Sequence, residues 1–104
     1  MILARGKNYV FVFPRINFAD TNTIDKQMDH ICTEVVEAMQ EVGKCDNEAL
    51  AIELLDVIHS TETALRILKE RHWIDLNSVK EKVIIKNELR GYYPVDGKRT
   101  RTRK

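Results

Sequence analysis

The sequence predicts an all-α chain: a helix hairpin plus a third helix, preceded by an extended N-terminal arm and assembling as a four-helix-bundle-type oligomer. Three stretches carry apolar residues at helical spacing, and each follows a cluster of capping residues. Only residues 9–13 have the aromatic and β-branched composition of a strand, and a single short strand cannot build a sheet.

That segment, Tyr9, Val10, Phe11, Val12 and Phe13, is closed by Pro14 and reads as an arm laid on the helical body or on a second subunit. Asp20, Thr21, Asn22 and Thr23 are good N-caps, after which Ile24, Met28, Ile31, Val35, Ala38, Met39 and Val42 form the stripe of helix one. Gly43 ends that helix, and Asp46 or Asn47 caps the next. So short a link makes the two helices antiparallel neighbours. Helix two carries Leu50, Leu54, Val57, Ile58, Ala64, Leu65 and Leu68 and runs to about Arg71. Residues 72–74 connect to a third helix, capped by Asn77 or Ser78, striped by Val79, Val83, Ile84 and Leu89, and stopped by Gly91. The chain divides into an arm (residues 1–20), a helical domain (21–94) and a basic tail (95–104).

With 43% hydrophobic and 32% charged residues in 104, the composition is that of a soluble globular protein and excludes a disordered chain. So few helices leave two stripes to cover, so a homodimer or homotetramer is expected. The 17 basic and 16 acidic residues are unevenly placed, because Lys98, Arg99, Arg101, Arg103 and Lys104 crowd the last seven positions. Such a tail is either a solvated terminus or a nucleic-acid contact. It lacks the aromatic residues of a dedicated single-strand binder, so nucleic acid is not an expected partner. Cys32 and Cys45 have no zinc-site spacing. Neither a signal-peptide core nor an apolar run of about 20 residues is found, so a cytoplasmic location with free thiols and no membrane contact is expected.

At about 100° per residue, Glu34, Glu37 and Glu41 fall on one flank of helix one, and Glu53 and Asp56 on the matching flank of helix two. Antiparallel pairing brings Glu34, Glu37, Glu53 and Asp56 together, where their like charges repel unless a cation neutralises them. Hard oxygen donors without histidine or thiolate select Mg²⁺, with Mn²⁺ as the alternative. Periodicity alone leaves an ordinary solvated acidic face equally open.

The run Thr33-Glu34-Val35-Val36-Glu37-Ala38, followed by Glu53-Leu54-Leu55-Asp56-Val57, resembles the signature of MazG-like nucleotide pyrophosphohydrolases: Glu-Glu-x-x-Glu, a helix hairpin, then Glu-x-x-Asp. Lys86-Asn87-Glu88-Leu89-Arg90-Gly91-Tyr92-Tyr93 is similar to the run that often ends the family's third helix, so the resemblance spans residues 24–93. It departs at Thr33, where the family has its first glutamate, and at Thr63, where many relatives carry an asparagine lining the nucleotide site. The resemblance implies metal binding by Glu34, Glu37, Glu53 and Asp56 as the catalytic centre. It also implies Mg²⁺-dependent cleavage of a nucleoside triphosphate between its α and β phosphates, giving the monophosphate and pyrophosphate. Because an acidic pocket alone repels such a substrate, Lys86 and Arg90 are candidates for phosphate contact, Asn87 for phosphate or base, Thr63 for the nucleotide site and Tyr93 for base stacking. Trp73 is a second stacking candidate, and Arg66 either reaches the site or pairs with Glu62. The alternative is a non-catalytic helical adaptor that dimerises through its stripes and touches nucleic acid with the basic tail.

Overall fold

The computed structural model describes residues 9–94, which contain four helices and, among them, no strand: α1 (Phe18–Thr21), α2 (Ile24–Glu41), α3 (Asn47–Arg71) and α4 (Leu76–Leu89). The predicted all-α architecture and hairpin are present; the basic tail at 95–104 lies outside the described residues. The chain forms two compact units, Val10–Ile74 and a second that contains α4.

The ends of the hairpin helices follow the capping chemistry of the sequence. Thr23 accepts a hydrogen bond from the Lys26 N–H at the start of α2, and Asp46 accepts one from the Ala49 N–H at the start of α3. Between them the chain reverses through Gly43, whose φ of +89° lies in the left-handed region that glycine enters without a Cβ penalty. α2 and α3 pack on each other. The pairing is antiparallel: Gln27 of α2 meets Ser60 of α3, while Glu34 and Glu37, further along α2, meet the earlier Glu53.

The packed face coincides only in part with the one the apolar stripes mark. Among the residues at least partly removed from solvent are Gln27, Ile31, Glu34, Ala38 and Glu41 on α2, and Glu53, Val57, Ser60, Ala64 and Ile67 on α3. Each set is spaced alternately four and three residues apart, the spacing of a continuous helical seam. Several stripe residues are left outside it, with Met39 67%, Leu54 50% and Ile58 43% exposed. Polar residues fill their place in a connected way. The Asn22 side-chain amide donates to Gln27 Oε1 (2.7 Å), and Gln27 Nε2 donates to the Ser60 carbonyl (3.0 Å), so the fully buried Gln27 is satisfied on both sides.

Ahead of the hairpin, one turn of helix, α1, buries Ala19 and packs on α3, a turn the sequence pattern does not reveal. Arg71 holds it, donating to the carbonyls of Ala19 and Asn22. The preceding arm also lies on α3. Both oxygens of Glu62, a residue only 5% exposed, accept arm N–H groups, Val12 at 2.7 Å and Phe13 at 2.8 Å. Arg66 donates to the Phe13 carbonyl at 2.7 Å and stacks over the Phe11 ring at 4.0 Å, so it is committed to the arm and not to Glu62. Phe13 in turn stacks on His59, ring centroids 4.6 Å apart. Because a charge-assisted hydrogen bond is worth about 1.5–3 kcal/mol and Glu62 accepts two, Glu62→Ala is expected to cost at least about that much stability. It is also expected to speed amide exchange at Val12 and Phe13, measurable by hydrogen–deuterium exchange; unchanged protection there would show that Glu62 does not hold the arm.

In the second unit, α4 begins two residues earlier than the capping pattern suggests. Asp75 is its N-cap, with Oδ1 accepting from the N–H groups of Asn77 and Ser78, which therefore sit in the first turn. Gly91, at φ +76°, ends the helix as expected. Val79, Val83, Ile84 and Leu89 are all exposed and only Leu76 is buried.

Candidate metal centre

Three carboxylates converge midway along the hairpin seam. Glu34 and Glu37 stand one turn apart on α2, Glu53 faces them from α3, and one oxygen from each lies within 4.8 Å of the others. The seam register explains it: Glu34 and Glu53 occupy packed positions where an ordinary hairpin would place leucine or alanine, while Glu37 reaches in from the exposed edge.

Burial makes this cluster costly for a bare protein. Glu34 Oε2 lies 3.3 Å from His30 Nε2, but Glu34 Oε1 and Glu53 Oε1 are shielded from solvent and have no hydrogen-bond partner. An unpartnered buried carboxylate oxygen is rare, because it loses water and gains nothing in return. Desolvation, and then the negative charges of Glu37, Asp56, Glu34 and Glu41, push the Glu53 carboxyl above its ordinary range. A divalent cation taking all-oxygen ligands meets both demands, supplying the missing partner and offsetting the repulsion, so the donor set fits such an ion.

The other residues singled out in the sequence fall in different places. Asp56 is exposed on the rim; its charge is felt by Glu53, but it is not among the three converging groups. Glu41 is half-buried beside Lys44, at 3.5 Å. Thr33 donates its hydroxyl to the Asp29 carbonyl and lines an open groove with Cys32, Val36, Glu37 and Gln40 on the outer face of α2. Thr63 is 2% exposed and donates its hydroxyl to the His59 carbonyl. Lys86, Asn87, Arg90 and Tyr93 belong to the second unit: Lys86 is exposed on the last turn of α4, Arg90 is the exposed C-cap, the Asn87 carbonyl accepts from the Arg90 and Tyr92 N–H groups, and Tyr93 is exposed. His30 also belongs to this site, and its position four residues before Glu34 is the sequence signal for it.

Cys32 and Cys45 are free and exposed. No helix of the described residues is long and apolar enough to cross a membrane.

No curated protein and no solved structure is a significant match to the chain. The profile of the MazG nucleotide pyrophosphohydrolase domain matches residues 22–92, which takes in α2, α3 and α4 and leaves the arm and α1 outside. The match includes all three converging carboxylates and the Glu53-x-x-Asp56 pair, and it describes hydrolases of nucleotides. By that match across most of its length, the chain belongs to the MazG nucleotide pyrophosphohydrolase family.

Proposed function

We propose that the protein is a Mg²⁺-dependent nucleoside triphosphate pyrophosphohydrolase, with water attacking the α phosphorus as the bond to the β-phosphate oxygen breaks, giving a nucleoside monophosphate and pyrophosphate. The observation that supports it most is the convergence of Glu34, Glu37 and Glu53 with two buried, unpartnered oxygens in a chain of this family. Glu34, Glu37 and Glu53 hold the ion, and Asp56, on the rim of the same face, is the fourth carboxylate of the set. Bound Mg²⁺ supplies neutralising charge for the triphosphate and acidifies water for attack. Glu53, half-buried among other acids with one oxygen shielded from solvent, is the residue that most requires that charge. The seam around it keeps Glu34 and Glu53 turned inward in a fixed register.

Lys86 and Arg90 carry the phosphate contacts in this reading, Asn87 a phosphate or base contact, and Tyr93 the base stack. Arg90→Ala should weaken triphosphate binding or turnover by about 1.5–3 kcal/mol, the worth of a charge-assisted contact, and leave Mg²⁺ affinity nearly unchanged. Truncation after Asp96 is the control: activity lost on truncation but kept in Arg90→Ala would move the cationic contact to the tail.

Assembly as a homodimer or a homotetramer is part of the same reading. Val36, Met39, Ile52 and Leu55 are each between 47% and 67% exposed on the two hairpin helices, and a second copy of the hairpin would cover them in a four-helix bundle. Sedimentation at micromolar concentration should show dimer or larger; monomer alone would contradict it. The function itself is tested by incubating a panel of triphosphates with and without Mg²⁺. Metal-dependent release of pyrophosphate supports it, and release of orthophosphate or no release contradicts it.

A further inference from the structure

Resting on the metal reading above, we propose that His30 is a positioning residue for the metal centre, orienting the Glu34 carboxylate so that one oxygen is reserved for the ion. Nε2 of His30 lies 3.3 Å from Oε2 of Glu34, one helical turn along α2, whereas Oε1 is buried and unpartnered. A carboxylate held at one oxygen loses the freedom to rotate away from the cluster, so less ordering remains to be done when a cation binds. Glu34 needs this more than Glu37, because it stands in the seam with its side chain only 15% exposed, whereas Glu37 is exposed. The imidazole is itself fixed. The Phe18 ring of α1 packs edge-on against it, centroids 5.6 Å apart at 75°. Phe18 precedes the stretch matched by the family profile, so the support for His30 comes from a part of this chain outside the shared domain.

The contact differs from an ordinary surface pair of residues four apart, which would leave the carboxylate free to accept water at both oxygens. What position 30 supplies is a ring nitrogen 3.3 Å from Glu34 Oε2. His30→Gln keeps a donor of similar reach, and His30→Leu keeps the bulk and removes the donor.

The test is Mn²⁺ binding to the full-length protein without nucleotide, followed at one fixed pH through the electron paramagnetic resonance signal of the free ion. His30→Leu is expected to weaken Mn²⁺ binding about 10- to 100-fold, the usual cost of losing a group that orients a metal ligand, with helical content by circular dichroism unchanged. His30→Gln is expected to restore most of the loss. Affinity within twofold of wild type in His30→Leu would overturn the proposal, as would equal losses in the leucine and glutamine variants. Glu34→Gln separates this from the reading beneath it. If Glu34→Gln abolishes binding while His30→Leu does not alter it, only the role of His30 falls; if Glu34→Gln also binds normally, the metal assignment falls with it.

Discussion

Glu53→Gln is expected to lower Mg²⁺-dependent triphosphate hydrolysis by more than about 100-fold, since loss of a ligand should exceed the usual cost of losing a group that only orients one. In the same variant the melting temperature of the metal-free protein should rise. Glu53 stands in the seam with an unpartnered oxygen and four negative neighbours, and its carboxyl is held above the ordinary range. The sign follows from linkage. A carboxyl raised in the folded state costs stability at any pH above its raised value and costs nothing below its unfolded one, so metal-free wild type should become more stable as pH falls through that interval. Arg15 acts oppositely at Asp20 and Glu70, lowering both carboxyls by hydrogen bonding; what those exposed pairs contribute is lost at still lower pH. Glutamine at position 53 removes the penalty and the ligand together. Mg²⁺ should therefore raise the melting temperature of wild type and leave the variant unmoved. Near-normal turnover in Glu53→Gln would remove it from the metal centre, and a lower metal-free melting temperature at neutral pH would show that repulsion is not what its charge contributes there.

Ile67→Ala should destabilise the fold by about 2–5 kcal/mol, the range for truncating a buried aliphatic side chain. Ile67 is 0% exposed and is the apolar member of the three largest wholly buried side chains among the described residues, Gln27 and Thr63 being polar, so it carries a large share of the buried apolar volume. Against a total stability of roughly 5–15 kcal/mol for a domain of this kind, that loss is large. Leu89→Ala provides the contrast: at 84% exposure it should change stability by less than about 0.5 kcal/mol. Chemical denaturation of the two variants checks both values. A loss below about 1 kcal/mol for Ile67→Ala would mean that the hairpin seam is not the principal core.

The hairpin was legible in the sequence because its signals are local. Caps at Thr23 and Asp46 and a glycine at Gly43 act through neighbouring backbone atoms, and each took up its expected role. The direction in which the helices face each other was less legible. Apolar periodicity points to Leu54 and Ile58 as well as Ala64, yet the seam runs through Glu53, Ser60, Ala64 and Ile67; Gln27 can be buried there because Asn22 and the backbone carbonyl of Ser60 satisfy its amide. Glu34 and Glu53 likewise read as flanking acids, although both stand at half-buried positions of the seam. The Asp75 cap and the turn at α1 escaped notice because one-turn helices and short connectors carry no periodicity. The role of Glu62 depends on N–H groups of the arm, which no spacing within α3 encodes, whereas His30 stands four residues before Glu34 and only its contact with Phe18 lies outside that spacing.

Hydrolysis of a nucleoside triphosphate in ¹⁸O-labelled water, with Mg²⁺ present and the products resolved by mass spectrometry, probes the proposed chemistry most directly. Attack at the α phosphorus places the label in the nucleoside monophosphate and leaves the pyrophosphate unlabelled, and neither product should form with Glu53→Gln. Label in pyrophosphate, production of a nucleoside diphosphate and orthophosphate, or equal turnover by Glu53→Gln would contradict cleavage between the α and β phosphates at this acidic cluster.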